Sequence, residues 1–378
     1  LKSKLITISF LLLSFSQLCF SQAQSDSLKV LKRIILIGDA GEPTEDIKEP
    51  VLIALENEAV KVKDSTLIIF LGDNIYPSGL PDESDSNRKE YERRIDEQIN
   101  AVVNSGVTGI FIPGNHDWDR GGGCGWAQIK REEEYVNGKG LINVSFLPTG
   151  GCPGPVVRNF GQNVKIIFLD SQWWLQDENE RPGKQESLCE SCTEDRIISA
   201  LDSIIVSSGN KFVLIAAHHP LSTHGPHGGN FTWMDHIFPL RNLNEYLWIP
   251  LPLIGSLYPL IRGAGVSSQD ISNTRYSNMI SKIESVIVKK PSLVYASGHE
   301  HALQVLRGKG GNLYFVSGAG IFGHLEDSLG EGDDTIFAGR CSGFMMVDFL
   351  SDGTKKLSVI KVIDETGEDE VVFSIILK

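Results

Sequence analysis

Five polar clusters along the chain carry residue types that bind metal ions. They are Gly38-Asp39-Ala40-Gly41, Gly72-Asp73-Asn74-Ile75-Tyr76, Gly114-Asn115-His116-Asp117, Ala217-His218-His219-Pro220 and Gly298-His299-Glu300-His301. Most follow an apolar, β-prone run, an order that sets ligands at the carboxyl ends of strands, where open α/β sheets bind them. A lone Gly-Asp pair is a common turn former and says little. Four of the nine histidines fall in the last two clusters, a concentration that scattered core histidines do not produce. Carboxylate, amide and imidazole donors without thiolates suit iron, zinc or manganese rather than a structural zinc knot. Two such ions about 3.5–4 Å apart share a bridging carboxylate, activate a water, and clamp the entering and leaving oxygens of a displacement at phosphorus.

Within the clusters the roles are unequal. His116 is suited to bind metal, donate a proton or stabilise phosphate charge, with Asp117 as its orienting partner or a turn residue. Neighbours on an extended backbone point opposite ways, so one of His218 and His219 faces the site. By the same rule His299 and His301 share one side and Glu300 points away.

Positioning these residues requires strands, and the pattern predicts them over 33–37, 66–71, 109–113, 164–170, 211–217 and 292–297. Helical periodicity covers 51–62, 86–104, 194–206 and 276–288. This alternation indicates an α/β layered domain. After His301 the runs 303–307, 312–316, 343–349, 356–362 and 371–377 are joined by Gly, Asp and Ser turns without a helix, which predicts a mainly antiparallel second sheet. No linker divides residues 24–378, so a single domain is expected, with an apolar insertion around 240–275. Prolines within 247–261 exclude a continuous helix and argue against a membrane span. That stretch is expected to form a long loop packed over the core, with a substrate cap or membrane contact as the alternatives.

The chain has 378 residues, 41% hydrophobic and 22% charged, as in a globular protein with a substantial core. A formal charge of −13 argues against a nucleic-acid partner. Lys2 and Lys4 precede an apolar run over 5–20 and the small residues of Ser21-Gln22-Ala23. That order predicts a signal peptide over 1–23 and an exported protein, periplasmic or secreted. Export permits disulfides, and the expected pairs are Cys124 with Cys152 and Cys189 with Cys192, leaving Cys341 free.

The series Asp39-x-Gly41, Gly72-Asp73-x-x-Tyr76, Gly114-Asn115-His116-Asp117, His218-His219-Pro220 and Gly298-His299-x-His301 resembles the calcineurin-like metallophosphoesterases. Within them it looks most like the small, tartrate-resistant purple acid phosphatases, and Tyr76 is the residue that discriminates this branch. The resemblance extends over nearly the whole chain beyond the leader, including Val316-Ser317-Gly318-Ala319-Gly320. It implies a four-layer α/β/β/α sandwich with the site at the strand ends. It also implies that Asp39, Tyr76 and His301 hold Fe(III), that Asn115, His218 and His299 hold Fe(II), Zn or Mn, and that Asp73 bridges them. His116 would assist the leaving group, with a further histidine that is either His224 or His227. The implied activity is hydrolysis of small phosphate monoesters by a metal-bound hydroxide. Phosphodiester or nucleotide hydrolysis at the same site is the alternative, and a non-catalytic surface-binding protein is the alternative from another class. Ala40 and His219 depart from the family pattern without changing a ligand.

Overall fold

The apolar runs that precede the polar clusters fold as the central strands of two sheets. In the computed structural model the described residues are 28–178, 181–182, 189–190, 192–242, 246–326 and 328–377, so the expected signal peptide lies outside them. The first half contains β1 (Val30–Ile37), α1 (Pro50–Val60), β2 (Thr66–Phe70), α2 (Arg88–Ser105), β3 (Thr108–Phe111), α3 (Gly125–Gly138) and β4 (Val144–Phe146). Next come β5 (Val156–Asn159), β6 (Val164–Phe168), α4 (Gln172–Leu175), α5 (Glu194–Val206) and β7 (Phe212–Ala216). Between β7 and α8 lie α6 (Trp233–Ile237), ahead of the stretch 240–275 expected as an insertion, and α7 (Leu257–Gly263) within it, and α8 (Thr274–Ile287) leads into β8 (Val294–Ser297). The chain closes with β9 (Leu303–Arg307), β10 (Leu313–Ser317), β11 (Thr335–Gly339), β12 (Gly343–Leu350), β13 (Lys355–Val362) and β14 (Asp369–Leu377).

Each sheet has seven strands, in the orders β14-β13-β12-β1-β2-β3-β4 and β11-β9-β10-β8-β7-β6-β5. Strands β1 to β4 are mutually parallel in the first sheet, and β6, β7, β8 and β10 are parallel in the second. Parallel strands covered on both faces read as unbroken apolar runs, as in Ile34-Ile35-Leu36-Ile37. Ile34 and Leu36 pack between the sheets, whereas Ile35 and Ile37 pack under the helices, the two-residue period of a strand. Helices α1, α2 and α3 cover the outer face of the first sheet, and α5 and α8 that of the second. The result is the α/β/β/α sandwich.

Local chemistry sets the helix ends. Pro50 occupies the first turn of α1 and the Glu49 carboxylate accepts from the Val51 amide. Asn273 caps α8 by accepting from the Arg275 amide, which pins the end of the insertion to the rigid layer behind it.

Four expectations are corrected. The closing strands do not form a separate second sheet. β9, β10 and β11 complete the sheet begun by β5 to β8, and β12, β13 and β14 pair beside β1. The turns show that successive strands are antiparallel, but they do not show which sheet each joins. The disulfide links Cys152 to Cys189, while Cys124, Cys192 and Cys341 are free. Cys152 and Cys189 are separated by 37 positions, and folding brings their Cα atoms within 5.4 Å, closer than sequence adjacency suggested. Helix α3 and the short strands β4, β5 and β11 appear where the pattern predicted none. Finally, the stretch 247–261 is not packed over the core: Leu253 is 89% exposed, Leu260 64% and Trp248 53%. No helix among the described residues is long and apolar enough to cross a membrane.

Candidate metal centre

The clusters converge because the strands bearing them end side by side. Asp39 follows β1, Asp73 follows β2, and Asn115 and His116 follow β3; His218 follows β7, and His299 and His301 follow β8. The facing ends of the two sheets are held together by backbone bonds, from the Gly38 amide to the Ser317 carbonyl and from the Gly320 amide to the Gly38 carbonyl. Close approach needs glycine at two points. Gly72 has φ of +93°, and a Cβ there would lie 2.7 Å from the Gly114 amide nitrogen and the His218 ring. A Cβ on Gly114 would come 2.2 Å from the Asp73 carboxylate. Asp39, Asp73 and His299 themselves adopt left-handed backbone (φ 58°, 54° and 70°), a cost that surrounding contacts must offset. His299 therefore does not continue an extended segment, and it and His301 reach different halves of the cluster.

One half comprises Asp39, Tyr76 and His301. The Tyr76 hydroxyl lies 3.1 Å from Asp39 Oδ1 and 3.0 Å from His301 Nε2. The other half comprises Asn115, His218 and His299, with Asn115 Oδ1 2.9 Å from His218 Nε2 and 3.0 Å from His299 Nδ1. Asp73 lies between, its Oδ2 3.2 Å from the Tyr76 hydroxyl and 3.4 Å from His218 Nε2. All seven residues are thus within one cluster, buried except for the partly exposed His301.

The hydrogen bonds at its edge fix which atoms present lone pairs. His218 Nδ1 donates to the Leu71 carbonyl at 2.8 Å, and His299 Nε2 donates to the Gln269 carbonyl at 2.9 Å. In the neutral rings, His218 Nε2 and His299 Nδ1 are consequently acceptors, aimed at another acceptor, Asn115 Oδ1. Lone pairs crowded in this way call for positive charge between them, which a proton or a metal cation supplies. The donor set of three imidazoles, two carboxylates, an amide oxygen and a phenol fits transition-metal ions, and the outer hydrogen bonds orient the rings as such sites need.

The titration of these groups carries the same message. Burial alone would raise the Asp73 carboxyl, but the His218 and His116 imidazoles hold it below the usual carboxylate range. Burial disfavours charge on His218, yet Asp73 and Asp39 raise it to about 9. His301 is likewise raised to about 9 by Asp39 against its burial. Protons on these two rings supply the positive charge that bound cations would otherwise provide. Burial, reinforced by the positive charge of neighbouring imidazoles, keeps His299 well below the ordinary histidine range. Burial and the two carboxylates push the Tyr76 phenol well up, an effect that a coordinated cation reverses.

Around this cluster stand the other histidines. His116 donates through Nδ1 to the Pro77 carbonyl at 2.8 Å and tilts over Tyr76, leaving Nε2 4.0 Å from Asp73 Oδ2. Asp117 is not its orienting partner. Its buried carboxylate accepts from the amides of Asn74, Ile75 and Gly114, tying the second and third clusters together. His227 lies tilted against His299 with ring centroids 4.0 Å apart, and its Nδ1 is 3.1 Å from Asp270 Oδ1. His224 instead contacts Asp334 at 2.6 Å, and its backbone amide donates to Gln304 Oε1. His219 lies beside His299, with its nitrogens engaged by Ser171 and Gln269. Glu300 points away from the seven-residue cluster and accepts from Thr223.

Sequence reasoning missed Gln269 and Asp270, which reach the site from the end of the apolar insertion. It also missed His324, whose ring lies 4.7 Å from that of His301. Arg262 grips Asp270 at 2.6 Å through Nε and thereby extends the chain from the insertion to His227. None of these lies in a motif; the polar Ser267-Ser268-Gln269-Asp270 run after an apolar stretch was the available signal.

Residues 32–249 match the family model of the calcineurin-like phosphoesterases. The chain is 21% identical over 295 residues to tartrate-resistant acid phosphatase type 5 of Rattus norvegicus, covering 77% of this chain and 72% of that protein. Among solved structures it is similar to GAP50, the anchor in the inner membrane complex of Plasmodium, with a TM-score of 0.51 and 14% identity over 92% of this chain and 89% of that one. It is also similar to purple acid phosphatase PPD1 from yellow lupin (Lupinus luteus) seeds, with a TM-score of 0.51 and 13% identity. That match covers 91% of this chain and 53% of the lupin chain, so the present chain spans about half its length. At such identities the solved structures show the fold alone.

Proposed function

Since the chain belongs to the calcineurin-like phosphoesterase family, we propose that it is an exported binuclear-metal phosphatase that hydrolyses small phosphate monoesters. The observation carrying this reading is the convergence of lone pairs in two sets of donors on either side of Asp73. Asp39, Tyr76 and His301 would hold Fe(III); Asn115, His218 and His299 would hold Fe(II), Zn or Mn, with Asp73 serving both. Bound there, the ions supply Lewis-acid polarisation of the phosphate and a water made nucleophilic at neutral pH.

The protein's own groups do the rest. The bond from His116 Nδ1 to Pro77 leaves Nε2 4.0 Å from Asp73 Oδ2, where it would face the leaving oxygen of a bound ester. His227, held by Asp270, presents its other nitrogen beside His299, and its pKa is raised: burial lowers it, but Asp270 and Glu300 outweigh that. His227 in its charged form donates a proton or hydrogen bond to the phosphoryl group or departing alkoxide. Ring contact with His299 supports His227, rather than His224, in this role. The Cys152–Cys189 disulfide supports the export reading.

The test is turnover of p-nitrophenyl phosphate against bis-p-nitrophenyl phosphate by folded protein loaded with iron, zinc or manganese. No turnover of either would sink the enzyme reading, and preference for the diester would sink the monoesterase one. The exposed apolar side chains of 247–261 support an added surface role, membrane contact beside the mouth of the site. Co-flotation with phospholipid vesicles tests it, and protein that stays with the soluble fraction counts against it.

A further inference from the structure

A second group of donors adjoins the cluster and belongs to neither half of it. We infer that His227, Glu300 and Glu326 form a third divalent-cation site, taking Zn, Mn or Fe(II). One ligand atom from each of the three lies within 4.8 Å of the others. Glu300 is fully buried; its Oε2 accepts from Thr223 at 2.9 Å, and its Oε1 has no hydrogen-bond partner. The chain is shaped around that carboxylate: a Cβ on Gly225 would come 2.3 Å from Glu300 Oε1. His227 donates through Nδ1 to Asp270, so Nε2 is the nitrogen free to bind. Glu326 is carried in by its backbone amide, which donates to the His301 carbonyl. Among the described residues no Lys or Arg pairs with its carboxylate.

The two carboxylates repel one another, an unpaired oxygen on a buried carboxylate is costly, and a metal ion on Nε2 displaces the proton that otherwise charges His227. A cation between them turns each repulsion into a bond. One imidazole with two carboxylates suits zinc, manganese or ferrous iron and is unlike the all-oxygen cages of calcium and magnesium. Three protein donors leave positions open for water.

The site has a functional consequence that rests on the proton-donor reading of His227. A cation on Nε2 removes that nitrogen from the substrate, so excess metal inhibits.

The experiment compares the whole protein with Glu326→Gln and Glu300→Gln after loading with Zn(II) or Mn(II), counting ions per chain by mass spectrometry and measuring the affinity of the weakest. Glu326 is partly exposed on a loop, so its variant is expected to fold, which a thermal melt checks. The expected result is one ion fewer in Glu326→Gln, or roughly tenfold or greater weakening of one ion. An anomalous-scattering peak among the three side chains supports the site. Equal counts and affinities in the parent and Glu326→Gln overturn it, whatever becomes of the binuclear centre. A total below two in the parent overturns the binuclear reading, while the parent-versus-variant difference still decides the third site. Inhibition by excess zinc in the parent and not in Glu326→Gln confirms that His227 is shared.

Discussion

The strand-end loops and the segment over residues 233–273, which includes most of the expected insertion, both contribute to the site, but in opposite ways. The loops are buried and cross-tied, with Asp117 alone accepting from three backbone amides. The insertion leaves Leu253, Ile254, Leu257 and Leu260 more than half exposed, yet ends in Gln269 and Asp270 against His219 and His227. Ligands that must meet within a few tenths of an ångström sit on rigid elements; a group that orients a proton donor tolerates a looser support. On the proposed function, the loops would define what the site can bind and the insertion would tune how it acts.

The largest effect expected from breaking this comparison is at its rigid side. Asp73 serves both halves of the cluster, so Asp73→Asn is expected to lower metal content and to cut kcat by about 10³-fold or more, the scale of losing a principal electrostatic element. Metal analysis beside steady-state kinetics checks it, and a variant retaining both ions with near-normal turnover would remove Asp73 from the centre.

Next in size is the pair His227 and His224. His227→Ala is expected to lower kcat about 10²-fold with metal retained, as for loss of a proton donor. His224→Ala, which disturbs only the Asp334 contact, is expected to stay within about threefold. The opposite ranking would return the catalytic role to His224.

A smaller change is expected from the insertion's own contribution. Asp270 raises the His227 pKa above the ordinary value against the lowering effect of burial. In Asp270→Asn that support is gone and the pKa falls, so activity that needs charged His227 is lost at lower pH. The alkaline limb of the kcat profile should move to more acidic pH, with kcat down about tenfold and KM little changed. An unmoved limb would mean that Asp270 only stabilises the fold.

How far the sequence reveals this site follows the same division. Asp39, Asp73, Asn115 and the histidine clusters were legible because each follows a buried apolar strand, whereas Tyr76 and the choice of His218 over His219 came from the family resemblance. His227 was legible only as one of two candidates, since spacing cannot show that His224 turns towards Asp334. Asp270 and Gln269 were invisible because their role depends on how a long excursion returns, which no local period encodes. The assignment of β9 to β14 failed for a related reason: hairpin turns specify neighbours, and sheet membership depends on which open edge each pair meets. Cys152 and Cys189 meet through contacts of that non-local kind too.

The smallest effect on chemistry, and the sharpest separation of the two regions, is expected at the insertion's outer face. Leu253 and Trp248 project from it at 89% and 53% exposure, far from any strand-end loop in sequence. Replacing both by serine removes apolar surface without touching a donor in the cluster. Turnover of a small soluble ester should stay within about twofold, because exposed substitutions seldom disturb a core. Vesicle flotation should fall, since partition of an apolar surface loop scales with the area it buries. If turnover collapsed while metal content held, the exposed face would be coupled to Asp270 and His227, and the insertion would be a working part of the catalytic site rather than an outer surface.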